Sequence, residues 1–278
     1  MHNKTNIALK TLGPRSSYLI TTLYERNKHI FRLKDVQNIL HIGKFYSRVF
    51  VRKLVNKGIV TRLKPGLFIL VPFELGKEHE YTGNPFLIAH EIMGGKGYYL
   101  SHGTAMEIHR MVTQPQLVVY VTVFKQRKSV NAHGIELRFI TTYKQHFWGI
   151  DTHWATKQEK VKVSDLEKTI IDGLKEPQYC GGVTEVAKGF WMRHQDINIK
   201  RLVEYAVKID TGAVIRRLGY LLELYKIGTP ENLEFLRSRL TESYARLDPH
   251  LPAEGDYIRK WRLQLNVSPE ELLSVVRT

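Results

Sequence analysis

Basic side chains at helical spacing near the start of the chain are the residues best suited to bind a polyanion. They fall on a predicted helix over Lys44–Lys57 and on the hairpin that follows it. The outward-facing or turn members are Lys44, Tyr46, Arg48, Arg52, Lys53, Asn56, Arg62 and Lys64. Lysine and arginine neutralise phosphates, and arginine and asparagine donate paired hydrogen bonds to base edges. We therefore predict that these eight residues bind double-stranded DNA.

The distribution of net charge supports the same partner. The 278-residue chain carries a formal charge of +15, and residues 1–72 contribute +12 of it, through 14 lysines and arginines against Glu25 and Asp35. Such asymmetry is typical of a basic module with a polyanionic partner. An anionic membrane is the weaker alternative, because an inserting helix needs a free apolar face that this module uses for its own core. RNA is also disfavoured, since the segment lacks the aromatic platforms on which single-stranded bases stack.

Three short helices and a hairpin must position these side chains. Pro14 can open the first helix, and the second is predicted over Leu33–Leu40. The third ends before Gly58, and its inward face is predicted to comprise Ser47, Phe50, Val51, Leu54 and Val55. Two strands flank the turn Lys64-Pro65-Gly66. This order is typical of a winged helix-turn-helix, which we predict over residues 1–74.

A polar linker at Phe73–Gly83 separates this module from a segment of mixed helix and strand. Strands are predicted over Leu117–Phe124 and Ile135–Ile140, with helices dominating the later part. Ser164-Asp165-Leu166-Glu167 predicts a capping box that opens a helix over Asp165–Leu174. We therefore predict an α+β protein in which a larger mixed α/β domain with a helical C-terminal part, over residues 84–278, follows the winged helix.

Histidine and glycine patterns in the larger part lack the spacing that catalysis requires. His102 and His109 are seven residues apart, whereas a His-Glu-x-x-His helix places two imidazoles on one face. Gly94-Gly95-Lys96-Gly97 lacks the four residues that a phosphate-binding loop has before its Gly-Lys pair, and a turn before a strand is the favoured interpretation. Cys180 has no patterned histidine base, and we interpret it as structural.

Three carboxylates on one predicted helix leave an enzymatic alternative open. Asp165 and Asp172 share a helical face and could hold a divalent ion in a nuclease, but Glu167 points elsewhere. Asp165 and Glu167 also suit the first turn of a helix, where acids face the positive end of its dipole. We predict no enzymatic activity, no metal and no cofactor, and keep a metal-dependent nuclease as an alternative.

Several features indicate the compartment. The single cysteine, Cys180, excludes a disulfide within the chain. No apolar run approaches the roughly 18–20 residues of a membrane helix. The N-terminus also has no apolar signal core. We therefore expect a cytoplasmic protein that does not contact a membrane.

Motifs in the larger part resemble the AbiEi family of abortive-infection antitoxins, which are also described as transcriptional regulators. They are Tyr99-Leu100-Ser101-His102-Gly103-Thr104-Ala105 with His109, the stretch Val163–Asp172, Gly181-Gly182, and Arg216–Glu223. The hairpin Lys64-Pro65-Gly66-Leu67-Phe68 is similar to that of the family as well. The resemblance runs from about residue 13 to residue 225, and more loosely to the end.

The resemblance implies both a fold and a function. Members have an N-terminal winged helix and a C-terminal antitoxin domain. They bind inverted repeats in their own promoter, repress a two-gene operon, and counteract an AbiEii nucleotidyltransferase toxin. We therefore expect a DNA-binding repressor and antitoxin whose partners are promoter DNA and an AbiEii-like toxin. The further alternative is a stand-alone winged-helix regulator whose larger domain binds a small ligand or self-associates.

Overall fold

The protein is an α+β protein, as predicted. The computed structural model describes residues 12–76, 81, 83–114 and 116–274. Within these residues the chain forms 11 α-helices and 12 β-strands. It divides into two compact units: residues 1–95, 129–137 and 155–159 form the first, and residues 96–128, 138–154 and 160–278 form the second. Two short segments from later in the chain thus join the first unit, and the boundary between residues 74 and 84 stays a prediction.

Three helices and a small antiparallel sheet open the first unit, and a fourth helix follows them. The elements are α1 (Pro14–Glu25), β1 (Ile30–Arg32), α2 (Leu33–Leu40), α3 (Lys44–Asn56), β2 (Val60–Lys64), β3 (Leu67–Leu70) and α4 (Pro85–Met93). Pro14 opens α1 as predicted. Gly58 follows α3 with a φ of +63°, a left-handed conformation that glycine adopts without steric cost. The sheet has the strand order β1-β3-β2.

Strand β1 is an element of this unit that the sequence pattern does not predict. It covers three residues directly before α2 and pairs with β3, placing Phe31 opposite Phe68. The two rings stack with centroids 5.8 Å apart in the core of the unit. Three residues are too few to show an alternating pattern, so this strand depends on its partner for definition.

The later elements build a larger sheet and a helical layer. Strands and helices follow in the order β4 (Tyr98–Leu100), α5 (His102–Ile108), β5 (Val118–Val123), β6 (Val130–Ala132), β7 (Ile135–Thr141), β8 (Ile150–Trp154), β9 (Lys160–Ser164) and α6 (Leu166–Lys175). The sheet has the strand order β6-β7-β5-β4-β9-β8. Strand β4 pairs antiparallel with β5 and parallel with β9.

Helices and a small sheet complete the second unit. They are α7 (Val183–Arg193), α8 (Ile199–Lys208), α9 (Gly212–Leu224), α10 (Pro230–Arg237), β10 (Ala245–Arg246), β11 (Tyr257–Ile258), β12 (Leu263–Gln264) and α11 (Pro269–Ser274). The main hydrophobic core of the unit includes Ile170, Phe190, Leu218 and Trp261. The helical C-terminal part that the sequence predicts is therefore present.

The predicted capping box at the start of α6 is wrong. Strand β9 extends through Ser164, so the serine is part of the sheet and does not cap the helix. Asp165 is the N-cap residue instead, and its side chain accepts a hydrogen bond of 2.7 Å from the Lys168 backbone N–H. Glu167 does not return to the cap. It accepts a hydrogen bond of 2.8 Å from the backbone N–H of Asn198.

In the part of the chain that the structure describes, we find no helix that is both long enough and apolar enough to span a membrane.

Candidate nucleic-acid interface

Helix α3 is fixed in rotation by its buried face. Ser47, Val51 and Leu54 are buried, and they recur at the spacing of one side of a helix. The Ser47 hydroxyl donates to the carbonyl oxygen of Lys44 at 2.9 Å and accepts a hydrogen bond from the Gln37 side chain of α2 at 3.4 Å. Because these contacts hold one face inward, the opposite face of α3 is presented to solvent.

The hairpin of β2 and β3 places a further arginine beside this helix. Arg62 pairs with Phe68 across the hairpin, and the register shifts between Arg62 and Lys64. Gly66 closes the turn with a φ of +81°, a conformation that L side chains rarely adopt.

Four of the eight predicted residues meet in one groove. Arg48, Arg52 and Asn56 of α3 and Arg62 of β2 line a cleft of about 880 Å³ in the first unit. Its other lining residues are Leu33, Val55, Pro65, Gly66 and Phe68. Three guanidinium groups and a carboxamide on one concave surface form an arrangement that suits phosphates and base edges.

The other four predicted residues lie outside the lining of this groove. Lys44, Tyr46 and Lys53 are exposed on α3, and Lys64 is half-buried at the end of β2. Helix α3 has four cationic side chains and no acidic one. Its exposed surface is therefore positively charged along its whole length.

Two apolar residues on the exposed surface of α3 were missed by the sequence analysis. Phe45 is 71% exposed and Val49 is 40% exposed. The Phe45 ring contacts the Tyr46 ring edge-on, with centroids 5.8 Å apart, and Tyr46 is 69% exposed. Their exposure could have been predicted from their positions in the helix, because neither residue falls on the predicted inward face. Phe45 thus supplies an exposed aromatic ring that the sequence analysis did not count.

The two candidate histidines of the second unit serve separate hydrogen-bond networks. His102 is buried with a φ of +51°, and its Nδ1 lies 3.0 Å from the Ser101 hydroxyl. Its Nε2 lies 3.7 Å from a carboxylate oxygen of Glu176. The Nε2–H of His109 donates to the carbonyl oxygen of Ser164 at 2.7 Å. In the described ranges, no group of three or more His, Cys, Asp or Glu side chains is arranged to hold a metal ion.

The three carboxylates of the α6 segment are each engaged by different partners. Asp165 accepts a hydrogen bond of 3.0 Å from the hydroxyl of Tyr205, and burial together with this carboxylate raises the pKa of Tyr205 to about 12. Glu167 is fully buried and pairs with Arg201. Asp172 pairs with Lys168 of the same helix. Each carboxylate therefore has a structural partner on α6 or α8.

The motifs that resemble AbiEi sequences are largely buried. Tyr99, Leu100 and Ser101 of the first motif are at most 1% exposed. In the α9 motif, Arg216 donates to the carbonyl oxygens of Thr241 and Ser243. In this structure these motif residues serve the packing of the second unit.

Comparison with known proteins adds information about the fold. No protein-family model and no curated protein matches the chain. The chain is similar to a solved structure, the RV2827C protein from Mycobacterium tuberculosis, with a TM-score of 0.71 and 14% sequence identity. The alignment covers 98% of this chain and 97% of that chain. At this identity the similarity concerns the fold alone.

Proposed function

We propose that the first unit contains a winged helix-turn-helix that binds double-stranded DNA, with α3 as the recognition helix and the β2–β3 hairpin as the wing. The observation that carries the proposal is the groove in which Arg48, Arg52 and Asn56 of α3 meet Arg62 of the hairpin. The charge of +12 over residues 1–72 supports a polyanionic partner. An α-helix of ordinary diameter fits the major groove, where base edges can be read.

We further propose that the protein is a repressor and antitoxin of the AbiEi kind. It would bind inverted repeats in its own promoter and counteract an AbiEii-like nucleotidyltransferase toxin. The spaced motifs of the second unit support this proposal, since they resemble the antitoxin family in order along the chain. The second unit would then carry the antitoxin role, and the first unit the DNA-binding role.

Salt dependence of duplex binding by the full chain tests the DNA-binding role. If the protein neutralises about five to eight phosphates, the logarithm of affinity should fall with the logarithm of salt concentration at a slope of roughly −4 to −7. Fluorescence anisotropy with a labelled random-sequence duplex measures this slope. An affinity that barely changes between low and physiological salt contradicts the proposal.

Arginine variants of the full chain separate base reading from phosphate binding. Arg48→Ala or Arg52→Ala should each cost about 1–3 kcal/mol on a selected duplex and relax sequence preference at one or two base pairs. Arg62→Ala should weaken all duplexes alike. A matched control is the pair Arg239→Ala and Arg259→Ala, two exposed arginines of the second unit. If every α3 variant lost the same affinity on matched and mismatched duplexes, α3 would not be the recognition helix.

A further inference from the structure

A short apolar ridge lies on the exposed surface of α3 beside a row of cationic side chains. Phe45 and Val49 are four residues apart and therefore lie one above the other on the same face of the helix. Both side chains are substantially exposed, at 71% and 40%. Exposed apolar groups on an otherwise cationic helix point to a partner with apolar groups of its own.

The charges around the ridge restrict what that partner can be. Lys44, Arg48 and Arg52 follow each other at intervals of four residues on one side of the ridge, and Lys53 extends the row of Phe45 and Val49 by a further turn. Two copies of this surface would repel each other, because α3 has no acidic side chain. The major groove matches the pattern, since its walls are rows of phosphates and its floor carries the apolar methyl groups of thymine.

We propose that Val49 and Phe45 determine sequence specificity by contacting the 5-methyl groups of thymine in the major groove. The inference rests on the proposed DNA-binding function and assigns residues that the cationic pattern does not include. A spacing of four helical residues corresponds to a rise of about 6 Å, which is close to two base-pair steps of about 3.4 Å. The preferred duplex therefore contains two thymines within one or two steps of each other.

Replacement of thymine by uracil tests the inference, because it removes only the methyl group. The full chain first enriches duplexes from a random-sequence pool. Each thymine of the enriched duplex is then replaced by deoxyuridine, one position at a time, and binding is measured at fixed salt concentration. Burial of one methyl group predicts a loss of about fourfold in affinity at each contacted position.

Variants assign each methyl group to a side chain. Val49→Ala should bind the thymine duplex about fourfold more weakly and lose its discrimination against uracil at one position. Phe45→Ala should weaken binding similarly and lose the discrimination against uracil at the other contacted thymine. Val49→Ile keeps the apolar contact and should keep the discrimination. Tyr18→Ala is the matched control, because Tyr18 is an aromatic residue of α1 that is 60% exposed. The exposure of Phe45 and Val49 favours folded variants, which circular dichroism verifies.

Several outcomes overturn the inference, and they differ from failure of the proposed function. Salt-dependent duplex binding that is unaffected by uracil at every position, or a pool in which no sequence is enriched, overturns the methyl contacts and leaves DNA binding intact. Tighter binding to single strands than to duplexes assigns the aromatic rings to base stacking instead. A change of oligomeric state in Val49→Ala or Phe45→Ala, with uracil discrimination unchanged, assigns the ridge to self-association. Absence of any salt-dependent duplex binding removes the proposed function as well.

Discussion

Several charged side chains of the second unit are buried, and each contacts specific partners. Lys168 is 1% exposed, pairs with Asp172, and has its Nζ 4.6 Å from the centroid of the Trp148 ring. Arg217 donates to the carbonyl oxygens of Leu174 and Arg246, and burial lowers its pKa to about 10. A buried charge is tolerated only when it is paired and hydrogen-bonded. These residues are therefore required by the packing of α6 and α9.

The partly buried His109 predicts a pH dependence of stability. Burial lowers the pKa of His109 below the ordinary value of 6.5, even though Ser164 accepts its hydrogen bond. Below pH 6.5 the unfolded chain takes up a proton at this site before the folded protein does. Above that pH, His109 is neutral in both states and does not change the free energy of unfolding. As the pH drops from 6.5 towards the pKa of His109 in the folded protein, the free energy of unfolding falls.

The variant His109→Gln should flatten this pH dependence, because glutamine does not titrate and keeps an N–H donor for Ser164. Urea unfolding between about pH 5 and pH 7.5 measures the effect. The matched control is His250→Gln, which changes an exposed histidine and should leave the slope as it is. An unchanged slope in His109→Gln would contradict the assignment.

Helix α9 packs unusually closely against the segment that precedes β12. A Cβ atom on Gly219 would lie only 2.1 Å from a ring carbon of Trp261. The indole ring is buried, and its Nε1–H donates to Glu223 of the same helix at 2.7 Å. Because the ring is buried and its nitrogen is hydrogen-bonded, it has little freedom to move aside. Gly219 is therefore needed for α9 to pack against the Trp261 ring, because any larger residue would bring a Cβ atom into the ring.

Gly219→Ala should therefore lower the free energy of unfolding by about 1–3 kcal/mol, since one added methyl group overpacks this contact. Chemical denaturation of the full chain measures the change. Gly228→Ala is the matched control, because a Cβ there meets Leu222 and Leu233 at an ordinary contact distance of 3.4 Å. Equal effects of the two substitutions would show that the Trp261 contact does not control the stability of α9.

Over the whole molecule, charge and motif content are divided between different parts of the chain. Residues 1–72 carry +12 of the net charge of +15, so the remaining residues contribute only +3. The motifs over residues 98–225 that resemble AbiEi sequences follow this basic segment in the sequence, and their buried residues support the fold. This division predicts that the two proposed functions, promoter binding and toxin neutralisation, can be separated by mutation.

The 278-residue chain with Arg48→Ala and Arg52→Ala should derepress a promoter reporter by at least about tenfold and still protect cells. The measurement is growth during co-expression with an AbiEii-like toxin from an unrelated promoter, with the reporter in the same strain. The paired control Arg239→Ala and Arg259→Ala should retain repression. Loss of protection by the folded α3 variant would mean that neutralisation needs the DNA-binding surface.

Local chemistry made several elements predictable from the sequence. The recurrence of Ser47, Val51 and Leu54 indicates α3, and Gly58 indicates its end. Pro65-Gly66 indicates the hairpin turn, and Pro14 indicates the start of α1. Each of these signals acts within a few residues of chain, through helical periodicity, a cap or a fixed φ angle. The concentration of positive charge is likewise a property of the sequence itself.

Interactions between distant segments were decided only by the tertiary structure. Strand β1 exists because β3 pairs with it, and Glu167 is neutralised by Arg201, which follows 34 residues later. Ser164 was predicted to cap α6, yet it belongs to β9, because the sheet supplies strand partners that no local pattern reveals. The groove at Arg62 similarly requires the hairpin to fold beside α3. Sequence patterns therefore determined the elements and the charge, while long-range pairing and burial decided which side chains meet.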